Sequence, residues 1–458
     1  MRHLNVSMLL FARTFFITLP RPFAALAAGL RTRSGRNLSW NLAGQVLPLL
    51  TGLVFVPILI RTLGTDRFGF LSLVWVLIGY FSLFDLGLAR ALTQRVAALI
   101  AVGDIERLRS AVRTGMALIA ALSLGSVPLL LLFKAVLLKD IVHANAGIVG
   151  EASSAFTWLA IGVPIVILAA GVRGLLEGQH RFLAVNLVRT PAGMAMFIAP
   201  WLATLISPTL QAVTFSILAV RIIQLGGFVI LARRLLVEGC THFGLDHDEV
   251  RMLFGFGIWV TVSNIIGPVL VYIDRFVLSH YGNLTDITYY STPFDLISRS
   301  LFVSTAVASV MFPALTAALA SSSPRIHAMI RQNYLILLLL FGPLTVAVLV
   351  LARPGLNLWL GPLFAARSTF TLQVLAVGVF INALSTVPYS LLQAMRRADL
   401  TAKVHLVELP FYLVLLIILV QHYGIVGAAS AWVIRVAFDL VAMTILARRQ
   451  QYRIVLLS

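Results

Sequence analysis

Twelve apolar runs, each long enough to cross a lipid bilayer as a helix, restrict what this chain can fold into. About 20 residues of helix span the hydrocarbon layer, and only helices and closed barrels satisfy their backbone polar groups inside it. The runs cover residues 38–60, 69–91, 112–133, 154–176, 183–206, 210–232, 253–277, 288–313, 333–352, 369–394, 402–421 and 424–447. They predict an all-α integral membrane protein with about 12 transmembrane helices.

The composition also indicates a chain embedded in a phospholipid membrane. Of its 458 residues, 60% are hydrophobic and 11% are charged, whereas soluble domains carry roughly 25% charged residues. The net charge is +18, but no soluble segment is long enough to present a basic face to nucleic acid. The single cysteine, Cys240, excludes a disulfide within the chain and a multi-cysteine metal site. We therefore expect no nucleic-acid partner and no bound metal.

The distribution of lysine and arginine predicts the orientation. With the N-terminus inside, the cytoplasmic segments hold 23 basic residues and the outer segments hold six. Basic residues concentrate on the cytoplasmic side of membrane proteins, so both termini are predicted to be cytoplasmic. The other six basic residues lie within or at the ends of apolar runs, and all are arginines: Arg90, Arg189, Arg221, Arg275, Arg299 and Arg435.

Two sequence matches indicate an internal repeat. Residues 159–163 match residues 375–379 (375 − 159 = 216), and LLEGQHR from Leu175 matches LLQAMRR from Leu391 at the same offset. Six helices per half give both halves one orientation, related by an axis along the membrane normal. The repeat predicts two pseudo-symmetric six-helix bundles around a central cavity.

This repeat divides the chain into two bundles with basic ends. We predict a basic N-terminal arm (1–37), an N-terminal six-helix bundle (38–232), a cytoplasmic linker (233–250), a C-terminal six-helix bundle (251–447) and a basic cytoplasmic tail (448–458). The linker carries His242 and His247 beside acidic residues, a pattern that we interpret as a solvated loop rather than a metal site.

The membrane arginines are the candidate substrate-binding residues. A guanidinium in a membrane faces water, a partner acid or an anionic ligand, and its planar fork suits phosphate and pyrophosphate. The residues predicted to bind substrate are Arg221, Arg299, Arg435, Arg275 and Arg189. Arg221 and Arg435 occupy near-equivalent places in the two halves and are expected to face the same cavity. Structural pairing is the alternative, because Asp295–Arg299 and Arg435–Asp439 are each four residues apart on one helix.

Carboxylates within the apolar runs are candidates for gating or for ion coupling. This set comprises Asp85, Arg90, Asp274, Asp295, Glu408 and Asp439, with Arg90 included because of its position near Asp85. H⁺ and Na⁺ are both possible coupling ions, and nothing in the sequence selects between them. Asp85 and Arg90 lie near the cytoplasmic end of the second run, where a gate at the inner mouth of the cavity is expected. No nucleophilic triad and no Walker motif occurs, so we predict no catalytic residue and no cofactor.

Three segments resemble a known family. LGTDRFGFLSL from Leu63, FDLGLARALTQRVA from Phe84 and VYIDRFVLSHYG at 271–282 are similar to segments of Wzx-type polysaccharide-biosynthesis flippases. These O-antigen, or lipid-linked oligosaccharide, transporters belong to the multidrug/oligosaccharidyl-lipid/polysaccharide exporter superfamily.

The resemblance implies a V-shaped cavity that opens alternately to the two sides of the bacterial inner membrane. It implies transport of undecaprenyl-pyrophosphate-linked oligosaccharide, with cavity arginines at the pyrophosphate. The sequence does not decide whether the protein works alone or with a polysaccharide polymerase and chain-length regulator as partners. The alternatives are a drug or metabolite exporter of the same superfamily and a membrane-embedded polysaccharide polymerase or ligase. The latter enzymes need a large outer catalytic loop, which the sequence does not offer.

Overall fold

Helices account for nearly all of the structure. The computed structural model describes residues 33–81, 87–142, 149–239, 245–320, 326–395 and 397–457. The predicted gate residue Asp85 and the linker residue His242 lie outside the described residues. The helices are α1 (Arg33–Leu63), α2 (Thr65–Phe81), α3 (Leu88–Val102), α4 (Ile105–Val142), α5 (Val149–Gly178), α6 (Phe182–Ile206), α7 (Leu210–Gly239), α8 (His247–Tyr281), α9 (Leu284–Ser298), α10 (Leu301–Ala320), α11 (Ile326–Leu360), α12 (Pro362–Ala394) and α13 (Ala398–Leu457).

Most of these helices have the length and composition of membrane spans. In the described part of the chain, α1, α4–α7 and α11–α13 contain segments long and apolar enough to cross a membrane. Counting α2–α3 and α9–α10 as one crossing each, α8 as one and the two arms of α13 as two gives a number close to the predicted 12. The predicted all-α fold is confirmed, and the helices agree with about 12 crossings.

The last helix is a hairpin of two antiparallel arms. A straight helix of 60 residues would be about 90 Å long, three times the bilayer core. The chain reverses at Gly424, whose φ of 53° lies in the left-handed region that favours glycine. Beyond this turn, Gly427 packs against the backbone of Leu419, and Arg397 Nη1 donates to Gln450 Oε1 at 3.0 Å. These contacts hold the two arms side by side.

The helices form two bundles with related boundaries. In the N-bundle (α1–α7), α1 packs on α6 and α5 packs on α4 and α7; in the C-bundle (α8–α13), α12 packs on α11 and α13, and α8 packs on α13. Helix α5 ends at Gly178 and α12 at Ala394, while α6 begins at Phe182 and α13 at Ala398. Both pairs repeat the sequence offset (394 − 178 = 216; 398 − 182 = 216). The helix boundaries thus support the predicted pseudo-symmetry.

The two ends of the helices define two faces of the molecule. Glu151 at the start of α5 binds Arg67 at the start of α2 (Oε1 to Nη2, 2.8 Å) and accepts from the Leu210 amide at the start of α7 (3.1 Å). These starts therefore lie together at one end, which we call the Gly64 face. The opposite end, with the turns at Gly103 and His180, is the Gly103 face.

At the Gly64 face, α2 of the N-bundle packs closely against α9 of the C-bundle. Thr288 Oγ1 donates to the Thr65 carbonyl at 2.6 Å, and the Thr285 hydroxyl donates to the Asp66 carboxylate. Gly69 lies so close to the Leu284 carbonyl that a side chain at this position would overlap it. A glycine therefore permits the closest approach of the two bundles.

At the Gly103 face, an ion pair and a hydrogen bond connect the start of α8 to the N-bundle. Arg95 on α3 forms an ion pair with the buried Glu249 on α8, with 2.5 Å between Nη2 and Oε1. Asp246 caps α8 by accepting from the first-turn amides, and it accepts from Ser110 Oγ of α4 at 2.8 Å. The Ser110 hydroxyl and these amides lower the pKa of the Asp246 carboxyl.

Replacement of Gly69 by alanine is expected to separate the bundles at the Gly64 face. The new Cβ would overlap the Leu284 carbonyl, which is backbone and cannot rotate away. We introduce Ser72→Cys, one turn further along α2, as a reporter and expect this cysteine to react about tenfold faster with a thiol reagent when Gly69 is alanine. A tenfold change corresponds to a loss of about 1.4 kcal/mol in the free energy that keeps this face closed. The measurement uses detergent-solubilised protein carrying Cys240→Ser.

The matched control is Gly125→Ala, because Gly125 of α4 has open space where its Cβ would lie. Equal labelling rates in the Gly69→Ala and Gly125→Ala backgrounds would show that this contact does not hold the face closed.

Candidate functional site

A break in a membrane span marks the centre of the molecule. Helix α9 ends at Ser298 and α10 begins at Leu301, with Arg299 and Ser300 in a turn between them. The backbone is wound more tightly at the break, because the Phe302 amide donates to the carbonyl of Arg299, only three residues earlier, at 3.2 Å. Irregular backbone at membrane depth is tolerated where it is buried in protein or lines a cavity. A short tight turn within a helix often marks a functional hinge.

A cavity of about 490 Å³ lies beside this break, between the two bundles. Four arginines line it, and none of the described residues in its lining is an aspartate or a glutamate. The polar side chains of the lining are Arg173 (α5), Arg189 (α6), Arg221 and Gln224 (α7), and Ser298 and Arg299 (at the α9–α10 break). We call this space the arginine cavity. Its charge is strongly positive, because four guanidinium groups share one space at membrane depth.

The four guanidiniums have few acidic partners. Arg173 pairs with Glu177 one turn along α5 at 3.5 Å, and Arg221 Nη1 donates to Gln224 Oε1 at 2.8 Å. The Arg299 guanidinium lies 5.9 Å from the centre of the Phe197 ring. Within the part of the chain that the structure describes, Arg189, Arg221 and Arg299 form no ion pair with a carboxylate. Their charges remain available to an anion.

Both bundles contribute to the arginine cavity, but unequally. Arg173, Arg189 and Arg221 belong to the N-bundle, and Arg299 belongs to the C-bundle. Three predicted binding residues, Arg189, Arg221 and Arg299, are thus brought together in one place. Arg173, the fourth arginine of the lining, is not among the predicted binding residues, although the apolar run 154–176 includes it. Its position before the end of α5 was the signal for a membrane residue.

The structure places Arg275 outside the arginine cavity. It is fully buried in the C-bundle, 2.5 Å from Asp295 (Nη2 to Oδ1) and 3.7 Å from Asp274 (Nη1 to Oδ1). The Tyr290 hydroxyl donates to Asp274 as well. Asp295 therefore pairs with Arg275, and the local Asp295–Arg299 pair is not formed because a neighbouring helix supplies a closer cation.

Arg435 also lies inside the C-bundle, 3.4 Å from Glu408 (Nη1 to Oε1) on the other arm of α13. The alternative pair with Asp439 is not formed, since Asp439 accepts from Ser385 Oγ at 2.6 Å and faces His405 Nε2 at 3.4 Å. The expectation that Arg435 faces the same cavity as Arg221 does not hold. The hairpin turns this side chain toward the opposite arm.

Two carboxylates and a histidine of α13 form a compact cluster. His405, Glu408 and Asp439 each offer one ligand atom within 4.8 Å of the others. We call these three residues the α13 cluster. Oxygen and imidazole ligands at this spacing suit either a cation or exchangeable protons. The predicted gate residue Arg90 lies in the first turn of α3 with its side chain exposed, and its role stays a prediction.

Two pseudo-symmetric bundles with a polar cavity at membrane depth define a multi-pass membrane transporter. The sequence matches the family described as Polysaccharide biosynthesis protein over residues 34–319, and the chain belongs to this family.

Relatives agree with this assignment. A Shigella flexneri protein designated an O-antigen transporter is 30% identical over 409 residues, which are 88% of this chain and 95% of the relative. A Haloferax volcanii protein designated a low-salt glycan biosynthesis flippase is 23% identical over 88% of this chain and 80% of its own length.

Solved structures share the fold. The inward-facing conformation of a multidrug resistance MATE family transporter has a TM-score of 0.79 at 12% identity, covering 90% of this chain and 95% of that one. The lipid II flippase MurJ in its inward closed conformation has a TM-score of 0.65 at 13% identity, covering 90% and 87%. The predicted two-bundle transporter architecture is thereby confirmed.

Proposed function

We propose that this protein is a flippase that moves pyrophosphate-linked oligosaccharide, carried on an undecaprenyl lipid, across the bacterial inner membrane. The observation that carries the proposal is the arginine cavity, where four arginines and, among the residues that the structure describes, no carboxylate line one space between the bundles. A set of cations at membrane depth is costly unless water or an anion compensates it. Pyrophosphate is such an anion, and guanidinium groups bind phosphate oxygens with two parallel hydrogen bonds.

The relatives support a glycan-linked cargo over a drug. Their names describe an O-antigen transporter and a glycan biosynthesis flippase. A cationic drug would be repelled by the arginine cavity, and a neutral one would leave its arginines uncompensated. A polymerase or ligase is also disfavoured, because the described turns at the Gly64 face are short, such as Gly64 itself and residues 207–209. A polymerase and a chain-length regulator would instead act on the delivered cargo.

The distribution of charge supports an orientation for this transport. The Gly103 face carries the excess of basic residues and is assigned to the cytoplasm, with both termini on that side. Arg189 lies about two turns from the start of α6, so the arginine cavity is closer to the cytoplasmic face. The α2–α9 contact closes the opposite, periplasmic face in this conformation. The cargo is therefore loaded from the cytoplasmic leaflet.

Depletion of the protein in cells tests this function directly. We expect lipid-linked oligosaccharide to accumulate in the inner leaflet, where a membrane-impermeant periodate reagent added outside cannot oxidise its sugars. Re-expression of the unaltered chain restores surface polysaccharide and lowers the trapped pool. Accumulation of single repeat units in the outer leaflet would instead indicate a polymerase, and an unchanged lipid-linked pool would contradict any role in this transport.

We further propose that transport is coupled to H⁺ or Na⁺ through the α13 cluster. Glu408 is almost fully buried and its Oε2 atom has no hydrogen-bond partner among the described residues, so it suits a proton or a cation. Exchange of the bound ion would change the charge between the two arms of α13 and their packing.

Glu408→Gln and Asp439→Asn are expected to remove the stimulation of transport by an ion gradient. Each change removes an ionisable oxygen from the α13 cluster and leaves the arginine cavity intact. The measurement compares translocation in proteoliposomes under a pH gradient and under a Na⁺ gradient. The control is Asp399→Asn, an exposed carboxylate on the same helix that pairs with Arg397. Full stimulation in both cluster variants would exclude this coupling site.

A further inference from the structure

A second, smaller space adjoins the arginine cavity on its Gly64 side. It is lined from both bundles, and it shares Leu49 and Arg299 with the arginine cavity. We call it the aromatic groove, defined by Ser72, Trp75, Phe197, Thr292, Asp295 and Trp359. Its enclosed volume of about 60 Å³ holds part of a ring rather than a whole sugar. A ligand bound at Arg299 therefore reaches directly into this groove.

The aromatic groove combines flat apolar rings with polar groups at helical spacing. Ser72 and Trp75 lie on one face of α2, Thr292 and Asp295 lie on one face of α9, and Arg299 follows in the turn after α9. Pockets of this composition bind ligands that have both apolar surfaces and hydrogen-bonding groups. A pyranose ring has this character, with C–H groups on its faces and hydroxyls around its edge.

Two buried polar atoms in the groove have no partner within the described residues. Thr292 is 5% exposed and its Oγ1 forms no hydrogen bond, and Trp75 Nε1 is likewise buried and unpaired. Such groups cost free energy when they stay unsatisfied, and each calls for an explanation. Both residues line the groove, so a small side-chain rotation would turn these atoms toward a ligand that brings its own hydroxyls.

Asp295 adds a hydrogen-bond acceptor to the groove, and an ion pair with the buried Arg275 fixes its position. Arg275 binds Asp295 Oδ1 at 2.5 Å, while 44% of the Asp295 side chain stays exposed at the groove. A carboxylate accepts hydrogen bonds from sugar hydroxyls strongly because it is charged. The buried Arg275 thus acts as a positioning residue for this acceptor.

We propose that the aromatic groove binds the sugar residue attached to the pyrophosphate of the cargo. The proposal rests on the proposed function and adds a carbohydrate subsite to it. A polyprenyl tail does not fit the chemistry, because it would leave Thr292, Trp75 and Asp295 without hydrogen bonds. The phosphate lies among the arginines, and the ring edge enters the groove past Arg299.

Binding of small soluble probes to the purified full-length protein tests the subsite. The probes are inorganic phosphate and the 1-phosphates of glucose, galactose and N-acetylglucosamine, measured by calorimetry in detergent. At least one sugar phosphate is expected to bind about three- to tenfold more tightly than inorganic phosphate, as one or two neutral hydrogen bonds provide. Thr292→Val and Trp75→Phe are expected to bring this ratio close to one without weakening the binding of inorganic phosphate.

The matched control is Thr371→Val, because Thr371 of α12 is also a buried threonine with an unpaired Oγ1 but does not line the groove. It should keep the sugar preference. Equal binding of all four probes to the unaltered protein, or a preference retained in both groove variants, overturns the subsite and leaves the arginine cavity standing. If Arg221→Ala binds inorganic phosphate as well as the unaltered protein does, the proposed function fails instead.

Discussion

Replacing Arg221 or Arg299 by alanine is expected to abolish surface polysaccharide while the protein still accumulates in the membrane. Each guanidinium lines the arginine cavity and has no carboxylate partner among the described residues. Its loss removes charge-assisted hydrogen bonds to pyrophosphate worth about 1.5–3 kcal/mol, which is roughly 10- to 150-fold in cargo affinity. Lysine at either position should restore part of the export, because it keeps the charge and loses the planar fork.

The measurement is the amount of surface glycan at matched protein level, with in vitro binding of inorganic pyrophosphate as the second readout. Arg233→Ala is the matched control, because Arg233 lies on the same helix as Arg221 with an exposed side chain. It should export normally. Normal glycan in both cavity variants would contradict the role of this cavity in cargo binding.

Replacing Arg275 by methionine is expected to destabilise the C-bundle severely. Arg275 and Asp274 are fully buried, and Asp295 depends on the same guanidinium. Removing one member of a buried ion pair leaves uncompensated charge and costs about 3–5 kcal/mol. The midpoint temperature of thermal unfolding in detergent and the protein level in membranes should both fall. Adding Asp274→Asn and Asp295→Asn to the same chain should recover much of the loss.

Arg367→Met provides the comparison for a surface arginine of the same bundle. Arg367 is exposed and contacts the face of the Tyr289 ring at 5.2 Å, so its loss should cost at most about 1 kcal/mol. If Arg275→Met unfolds at the temperature of the unaltered protein, the buried network does not stabilise the bundle. Recovery in the triple variant would show that the damage comes from unpaired charge and not from lost packing.

The fold was predictable because membrane physics leaves few alternatives for apolar runs of this length. Their spacing predicted about 12 spans, and an offset of 216 residues predicted the two bundles whose boundaries at Gly178 and Ala394 repeat it. The approximate depth of Arg189, Arg221 and Arg299 was also readable, because distance along a helix converts directly into depth. Depth alone did not separate these three from Arg275 and Arg435, which the structure places outside the cavity.

Partners across helices were not predictable from one sequence. The spacing of four residues on one helix suggested Asp439 as the partner of Arg435. The chain reverses at Gly424, however, and this reversal places Glu408 beside Arg435. Arg275 was expected at the cavity and is instead enclosed by Asp274 and Asp295. Which face of a helix meets its neighbour depends on rotation about the helix axis, and hydrophobic periodicity is weak where lipid surrounds a helix.

The aromatic groove could not be predicted from the sequence for the same reason. Trp75 and Phe197 stand in apolar runs, where aromatic residues are ordinary core or lipid-facing side chains. Only the meeting of α2, α6 and α9 places them beside Thr292 and Asp295. The approach of two bundles is a long-range property that no local pattern in the chain encodes.

The unequal division of the arginines has a consequence for cargo release. On the proposed function, a pyrophosphate held by Arg173, Arg189 and Arg221 would travel with the N-bundle, since all three lie on helices of that bundle. Only Arg299 would change its distance from the anion as the bundles tilt. Doubling a separation of about 4 Å between unit charges weakens their attraction by about 2 kcal/mol at an effective dielectric constant of about 20. A single arginine on one hinge could therefore set the ratio of cargo affinities on the two sides of the membrane.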